Sequence, residues 1–169
     1  GTDLGGVIER AKSAGVTSML CVAVDLDSLP EVISIAERFD NIWASVGLHP
    51  SESVEKEPEV SDYVTLADHP RVVAIGETGL DYHYKSIEME LMKERFRRQV
   101  QASTLTKKPL IVHTRNARED TLSILSESTP DIGGVMHCFT ETWEMAQAAI
   151  AMGFYISFSG IVTFKNEQE

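Results

Sequence analysis

The chain alternates between short, almost wholly apolar runs and longer stretches with the periodicity of an amphipathic helix. The first pair is a predicted strand at residues 16–24 and a predicted helix at residues 29–39, where apolar residues recur every three or four positions. Strands that are apolar on both sides need cover on both faces of their sheet, and the intervening helices of a parallel sheet provide it. The alternation therefore predicts an α/β fold with a parallel sheet.

Six strands are predicted in all, at residues 16–24, 42–46, 72–75, 110–112, 135–136 and 154–158. This number suits either an open doubly wound sheet or most of an eight-stranded barrel. The open sheet would normally carry a glycine-rich phosphate loop after an early strand, and the sequence has none. Polar residues instead follow one strand after another, which favours a TIM-like (β/α)8 barrel. No linker divides the chain, so residues 1–169 are predicted to be a single domain.

Two later helices are predicted with defined apolar faces. The longer one spans residues 86–105 and begins at Ser86 as its N-cap. Its apolar face is predicted to consist of Ile87, Leu91, Met92, Phe96 and Val100. The second spans residues 143–152 and is predicted to direct Trp143, Ala146, Ala149 and Ile150 inward.

Three side chains that commonly bind metals come directly after apolar runs. Glu77 follows VVAIG, His113 follows LIV and His137 follows GVM. In a barrel of parallel strands, residues at the strand ends meet on one face. One carboxylate and two imidazoles brought together in this way form a partial ligand set for a divalent cation.

The charge of the chain limits its interactions with nucleic acids. There are 15 basic and 26 acidic residues, which give a net charge of −11. This balance argues against a broad basic surface that would bind nucleic acid non-specifically. It is compatible with an enzyme that acts on phosphate groups through a bound cation, because the cation supplies local positive charge.

The two cysteines, Cys21 and Cys138, lie in or just after apolar runs. Reduced and mostly buried thiols are the favoured interpretation; a disulfide and a ligand role for Cys138 are the alternatives. This cysteine usage predicts a cytoplasmic location. No apolar stretch reaches the roughly 18 residues that a membrane span requires, and no signal peptide is recognised.

Five short motifs follow one another along the chain. They are GLHP at 47–50, AIGETGLDY at 74–82, IVHTR at 111–115, MHCF at 136–139 and SFSGIVTF at 157–164. Each motif alone carries little information. Together they closely resemble the TatD family of metal-dependent deoxyribonucleases, in particular its YcfH-like branch, over essentially the whole chain.

The resemblance implies a (β/α)8 barrel of the amidohydrolase-like type that binds one or two divalent ions, either Mg, Mn or Zn. It also implies hydrolysis of DNA phosphodiester bonds by a metal-activated water. The family's ligand positions fall on Glu77, His113 and His137, and Glu77, which can bridge two ions, is also the catalytic residue. A His-x-His segment and a strand-ending Asp, which complete the family site, are expected to be missing from this chain. The chain alone is then expected to have little nuclease activity and to self-associate through uncovered strand edges.

Several of these residues have a second interpretation. His49 is either a substrate contact at the mouth of the site or a structural loop histidine. Arg115 is either a phosphate clamp, through its planar guanidinium, or the partner of a neighbouring acid. Asp81 is expected to orient a metal ligand. Glu77 alone would also suit a turn cap, and each strand-end histidine would suit a hydrogen-bonded position in the core.

Two functions besides DNA cleavage are compatible with the sequence. The first is a barrel metallohydrolase that acts on a small ester or phosphoester, because a fold does not fix a substrate. The second is an inactive fragment without a complete metal site.

Overall fold

The computed structural model describes residues 3–84, 87–128 and 132–164. Its centre is a parallel sheet whose strands lie side by side in chain order and curl into a half-barrel. The strands are β1 (Met19–Cys21), β2 (Ile42–Val46), β3 (Val72–Asp81), β4 (Leu110–Arg115), β5 (Gly134–Met136) and β6 (Phe154–Ile156). This order arises when every connection has the same handedness and places each new strand beside the preceding one. The predicted TIM-barrel-like α/β fold is confirmed.

Helices connect the strands and cover the sheet. They are α1 (Leu4–Ser13), α2 (Leu29–Arg38), α3 (Val60–Ala67), α4 (Met89–Thr106), α5 (Arg118–Ser128) and α6 (Trp143–Ala151), followed by a 3-10 turn at Gly160–Thr163. Helices α1 and α3 are not predicted from the sequence. The long predicted helix corresponds to α4, and its predicted N-cap, Ser86, lies outside the described residues.

Two strands, β1 and β3, differ most from their predicted lengths. β1 has only three residues, although nine apolar or small residues suggested a longer strand. β3 has ten residues because its pairing with β4 resumes after a register shift between Ile75 and Thr78 and continues to Asp81 opposite Arg115. The extension matters for function, because it brings the polar residues after the apolar run into the sheet.

The core is best packed where α4 lies on the sheet. Met92, Phe96 and Val100 are buried there as predicted, whereas Leu91 is exposed and its predicted inward position is wrong. The prediction is also wrong for Trp143 and Ile150 on α6, which are 67% and 53% exposed.

Helix α6 packs instead through Met145, Ala146 and Ala149. At 100° per residue, Trp143 and Ile150 lie roughly a quarter to a third of a turn from the centre of that face. Among the described residues, no helix combines the length and apolar character needed to cross a membrane.

Candidate metal site

Backbone hydrogen bonds beyond the regular strands assemble the site at the carboxyl end of the sheet. Glu77 N–H donates to the Ala23 carbonyl, and His137 N–H donates to the Val112 carbonyl, each at 2.8 Å. His49 N–H donates to the carbonyl of Val24, also at 2.8 Å. The curled sheet thus fixes the main chain of residues that are far apart in sequence.

Glu77 is the centre of the cluster. Its side chain is buried, and its Oε1 lies 2.7 Å from His137 Nδ1 and 3.6 Å from His113 Nδ1. Burial alone would raise the pKa of this carboxyl, but the imidazoles of His113 and His137 outweigh burial and lower the pKa to about 2. Glu77 is therefore ionised at neutral pH, as a metal ligand must be.

His113 is held from both sides. Its Nδ1 faces Glu77, and its Nε2 lies 2.9 Å from Asp81 Oδ2. Burial would lower the pKa of His113, but the two carboxylates raise it overall. The other oxygen of Asp81 accepts hydrogen bonds from the backbone N–H groups of His83 and Tyr84, at 2.8 and 3.3 Å. Asp81 is thereby fixed in the position from which a carboxylate orients an imidazole.

His49 is half-buried beside His113. Its ring centroid is 4.6 Å from that of His113, and its Nδ1 is 2.7 Å from Ser51 Oγ. Burial and the neighbouring His113 lower the pKa of His49, which favours the neutral ring that can bind a cation or donate one hydrogen bond. Its position after β2 was the available sequence signal; the resemblance had assigned ligands only to Glu77, His113 and His137.

Within the part of the chain that the structure describes, one group of at least three His, Cys, Asp or Glu residues has ligand atoms within 4.8 Å of one another. Its members are His49, Glu77 and His113. His137 adjoins this group through its contact with Glu77, which raises the pKa of His137. The set of one carboxylate and several imidazoles suits a divalent cation. The three residues form a possible metal site, and Glu77 supplies its negative charge.

The remaining predicted residues lie around this cluster. The Arg115 guanidinium packs over the ring of Tyr84, with its Cζ atom 5.1 Å from the ring centroid, and no acid among the described residues forms a salt bridge with it. Both cysteines are free and half-buried, so the disulfide alternative is wrong. Cys138 Sγ lies 3.6 Å from His137 Nε2, beside the cluster.

The chain also matches a known protein family along its whole length. The model of the TatD-related DNases matches residues 1–169. The chain belongs to the TatD family. Among curated TatD-family relatives, it is 43% identical to the metal-dependent hydrolase YcfH of Escherichia coli K12 over 99% of its residues, and 40% identical to YabD of Bacillus subtilis, also over 99%. Both relatives are described as uncharacterized metal-dependent hydrolases.

Two further TatD-type proteins are informative. The chain is 33% identical, over 95% of its residues, to a Salmonella typhimurium protein described as the 3′-5′ ssDNA/RNA exonuclease TatD. The crystal structure of YJJV, a TatD homologue from Escherichia coli, superposes with a TM-score of 0.82 over 97% of this chain and 64% of that one, at 23% identity, which supports the shared fold. The chain spans 63% of the length of YcfH, 67% of YabD and 62% of the Salmonella protein.

Proposed function

We propose that the protein is a metal-dependent phosphodiesterase that cleaves DNA, with Glu77, His113 and His137 as metal ligands. One observation carries the proposal: a single buried carboxylate oxygen, Glu77 Oε1, faces a ring nitrogen of each histidine. The name of the Salmonella relative supports a nucleic acid as the substrate. Because the chain spans only part of its relatives' length, the activity is proposed for the whole protein.

Each proposed ligand has a separate task. Glu77 provides the anionic oxygen. Asp81, by accepting a hydrogen bond from His113 Nε2, leaves the lone pair of His113 Nδ1 directed at Glu77 and free for a cation. His137 directs its Nδ1 toward the same oxygen. When bound, a divalent ion activates water and neutralises charge on the phosphoryl oxygens. Imidazole ligands favour Mn or Zn over Mg.

We propose that His49 and Arg115 contact the substrate. His49 adjoins His113, so it faces the space in which a phosphate would approach the ion. Arg115 ends the strand that carries His113, and its guanidinium is half-buried against the exposed ring of Tyr84. A planar guanidinium held in this way can donate hydrogen bonds to two oxygens of a phosphate group. The adjacent aromatic ring suits an unstacked base, which favours a single strand over a duplex.

The direct test is cleavage of labelled single-stranded DNA by the whole protein after chelation and reloading with Mn, Zn or Mg. We expect metal-dependent cleavage that is lost in Glu77→Gln. A small phosphodiester and a carboxylic ester serve as comparison substrates. Brisk turnover of either without DNA cleavage would favour the alternative metallohydrolase. Inactivity toward all three substrates at saturating metal would favour a protein without catalytic function.

A second experiment separates the proposed ligands from the proposed substrate contact. Calorimetric titration of metal into His137→Ala and His49→Ala should show a much weaker affinity for the first and a near-normal affinity for the second. His49→Ala should instead raise KM for DNA. If His49→Ala weakens metal binding as much as His113→Ala does, His49 is a ligand and its substrate role is wrong.

The single domain over residues 1–169, the cytoplasmic location and the self-association of the chain stay predictions. Light scattering after size-exclusion chromatography tests the last of these, since a stable monomer contradicts it. Comparing the 169-residue chain with the whole protein in the DNA assay tests whether the chain alone is nearly inactive.

A further inference from the structure

Helix α4 places two fully buried polar side chains behind the loop that carries His49. Arg95 is 2% exposed and Gln99 is 0% exposed. They are four residues apart, so they project from one face of the helix toward the same region. Neither residue belongs to the cluster around Glu77, and neither is among the site residues predicted from the sequence.

Gln99 holds the residue before His49 at both of its backbone groups. The side-chain Oε1 accepts a hydrogen bond from Leu48 N–H, and Nε2 donates to the Leu48 carbonyl, each at 3.0 Å. This is the pair of bonds that a neighbouring strand would make. Only a primary amide supplies one donor and one acceptor in this geometry.

Arg95 holds His49 itself and the loop that follows. Its Nη1 donates to the carbonyls of His49 at 3.2 Å and Glu52 at 2.7 Å. Its Nε donates to Glu57 Oε2 at 2.9 Å, and Nη2 pairs with Glu57 Oε1. One guanidinium thus joins both ends of the loop between His49 and Glu57.

The backbone around His49 therefore has its four polar groups occupied. The N–H and carbonyl of Leu48 bind Gln99, the carbonyl of His49 binds Arg95, and the N–H of His49 binds Val24. The ring is steered further by the contact of its Nδ1 with Ser51 Oγ. The imidazole is left with rotation about its own side-chain bonds as its main freedom.

We propose that Arg95 and Gln99 are positioning residues that fix His49 in register with Glu77 and His113. This inference rests on the proposed function of the site. A buried ion pair contributes little net stability compared with well-packed apolar residues of similar volume, so stability alone explains this pair poorly. A loop also usually satisfies its backbone with water rather than with a buried guanidinium. What the arrangement provides is a fixed main-chain position for one histidine.

The test uses variants that remove the contacts while preserving size. Gln99→Leu removes both bonds to Leu48, and Arg95→Met removes the bonds to His49 and Glu52. Because Arg95→Met leaves Glu57 without its partner, the double variant Arg95→Met/Glu57→Gln removes that charge as well. The matched control is Val100→Ala, which creates a cavity at a buried residue of α4 that packs in the main core, whereas Leu48 packs in a separate cluster.

The readout that does not depend on activity is the NMR spectrum of the histidine rings in metal-free protein. The chain has five histidines, and His49→Gln identifies the signal of His49. Gln99→Leu and the Arg95/Glu57 double variant should shift or broaden the His49 signal and leave His69, which binds Glu37 elsewhere, unchanged. Val100→Ala should leave both signals in place even though it lowers stability.

The kinetic readout is KM for DNA. In both loop variants we expect KM to rise about 10- to 100-fold, the range for residues that orient a site group, with a smaller change in kcat. An unmoved His49 signal in both variants would overturn the inference, as would an unchanged KM. Failure of the proposed function has a different signature, because the unmodified protein would then cleave no DNA while the His49 signal would still respond.

Discussion

Helix α4, over the middle of the sheet, and helix α6, at its edge, bury their residues in different ways. Helix α4 covers β3 with Met92, Phe96 and Val100 and also buries Arg95 and Gln99. Helix α6 covers β6 with Met145 and two alanines, while Trp143 and Ile150 are exposed. Both helices have apolar residues at helical spacing. The difference shows that the spacing identifies a helix, whereas its contacts decide which of the apolar residues form the core.

The same contrast appears among the site residues. Glu77 and Asp81 on β3 are buried, and His113 on β4 is hydrogen-bonded to Asp81 and lies 3.6 Å from Glu77 Oε1. His137, which follows β5, is one-third exposed at its side chain and reaches the cluster through Glu77 alone among these residues. The part of the site on β3 and β4 is therefore more enclosed than the part that follows β5.

The largest expected effect is a loss of stability when the core beneath helix α4 is changed. Phe96→Ala should lower the free energy of unfolding by about 3–5 kcal/mol, because a fully buried ring leaves a cavity that its neighbours fill only partly. Urea unfolding followed by circular dichroism measures this change. A loss in unfolding free energy below about 1 kcal/mol would contradict a well-packed core beneath α4.

The second prediction concerns the charge of the site. Glu77→Gln should reduce the affinity for Mn or Zn by more than about 100-fold, which exceeds the usual effect of residues that only orient a ligand. Metal titration calorimetry provides the measurement. The matched control is Glu37→Gln, because Glu37 also contacts a histidine, His69, but at an exposed position. Equal losses in the two variants would show a general charge effect.

Asp81→Asn should have a smaller effect on the same affinity, about 10- to 100-fold. In this variant the side-chain oxygen would stay with the backbone N–H groups of His83 and Tyr84, so the amide nitrogen would face His113 Nε2. It would donate a hydrogen bond there instead of accepting one, which moves the ring proton to Nδ1, the atom that faces Glu77. Asp120→Asn is the control, since Asp120 binds Tyr82 and Lys93 outside the cluster. Unchanged metal affinity in Asp81→Asn would refute the orienting role of Asp81.

The contact between Glu77 and His137 should make stability depend on pH in metal-free protein. The hydrogen bond to Glu77 raises the pKa of His137 in the folded state, so this stabilisation is fully present below the unfolded pKa and is lost as the pH rises through the folded pKa. With chelator present, His137→Gln should cost on the order of 1 kcal/mol at pH 5.5 and less at pH 8.5, allowing for the partial exposure of the ring. A larger cost at pH 8.5 than at pH 5.5 would contradict the charged contact.

The smallest expected effect is on stability when the exposed face of helix α6 is changed. Trp143→Ala should change the free energy of unfolding of this chain by about 0.5 kcal/mol or less, because the side chain is mostly exposed. The measurement is the same urea unfolding as for Phe96→Ala. A loss comparable to that of Phe96→Ala would mean that Trp143 packs in a core and would remove the contrast between the two helices.

The sequence was most informative about features that depend on a single strand, helix or short motif. Alternating apolar runs and helical periodicity predicted the six parallel strands, and β2 was predicted with its observed limits. The motifs also identified the family, because they are local strings at fixed distances. The inward faces of α6 and part of α4 were predicted less well, since spacing alone leaves the orientation of a helix undetermined.

What the sequence by itself determined is the succession of parallel strands, and therefore that residues following the apolar runs, such as Glu77, His113 and His137, lie toward the carboxyl end of the sheet. Only the tertiary structure decided that His49 joins Glu77 and His113, that Asp81 holds His113, and that Arg95 and Gln99 hold the loop of His49. The physical reason is that the presence of a strand follows from local periodicity. The distance between His49 and Arg95, 46 residues apart in the chain, depends instead on the curl of the sheet and on how α4 packs against it.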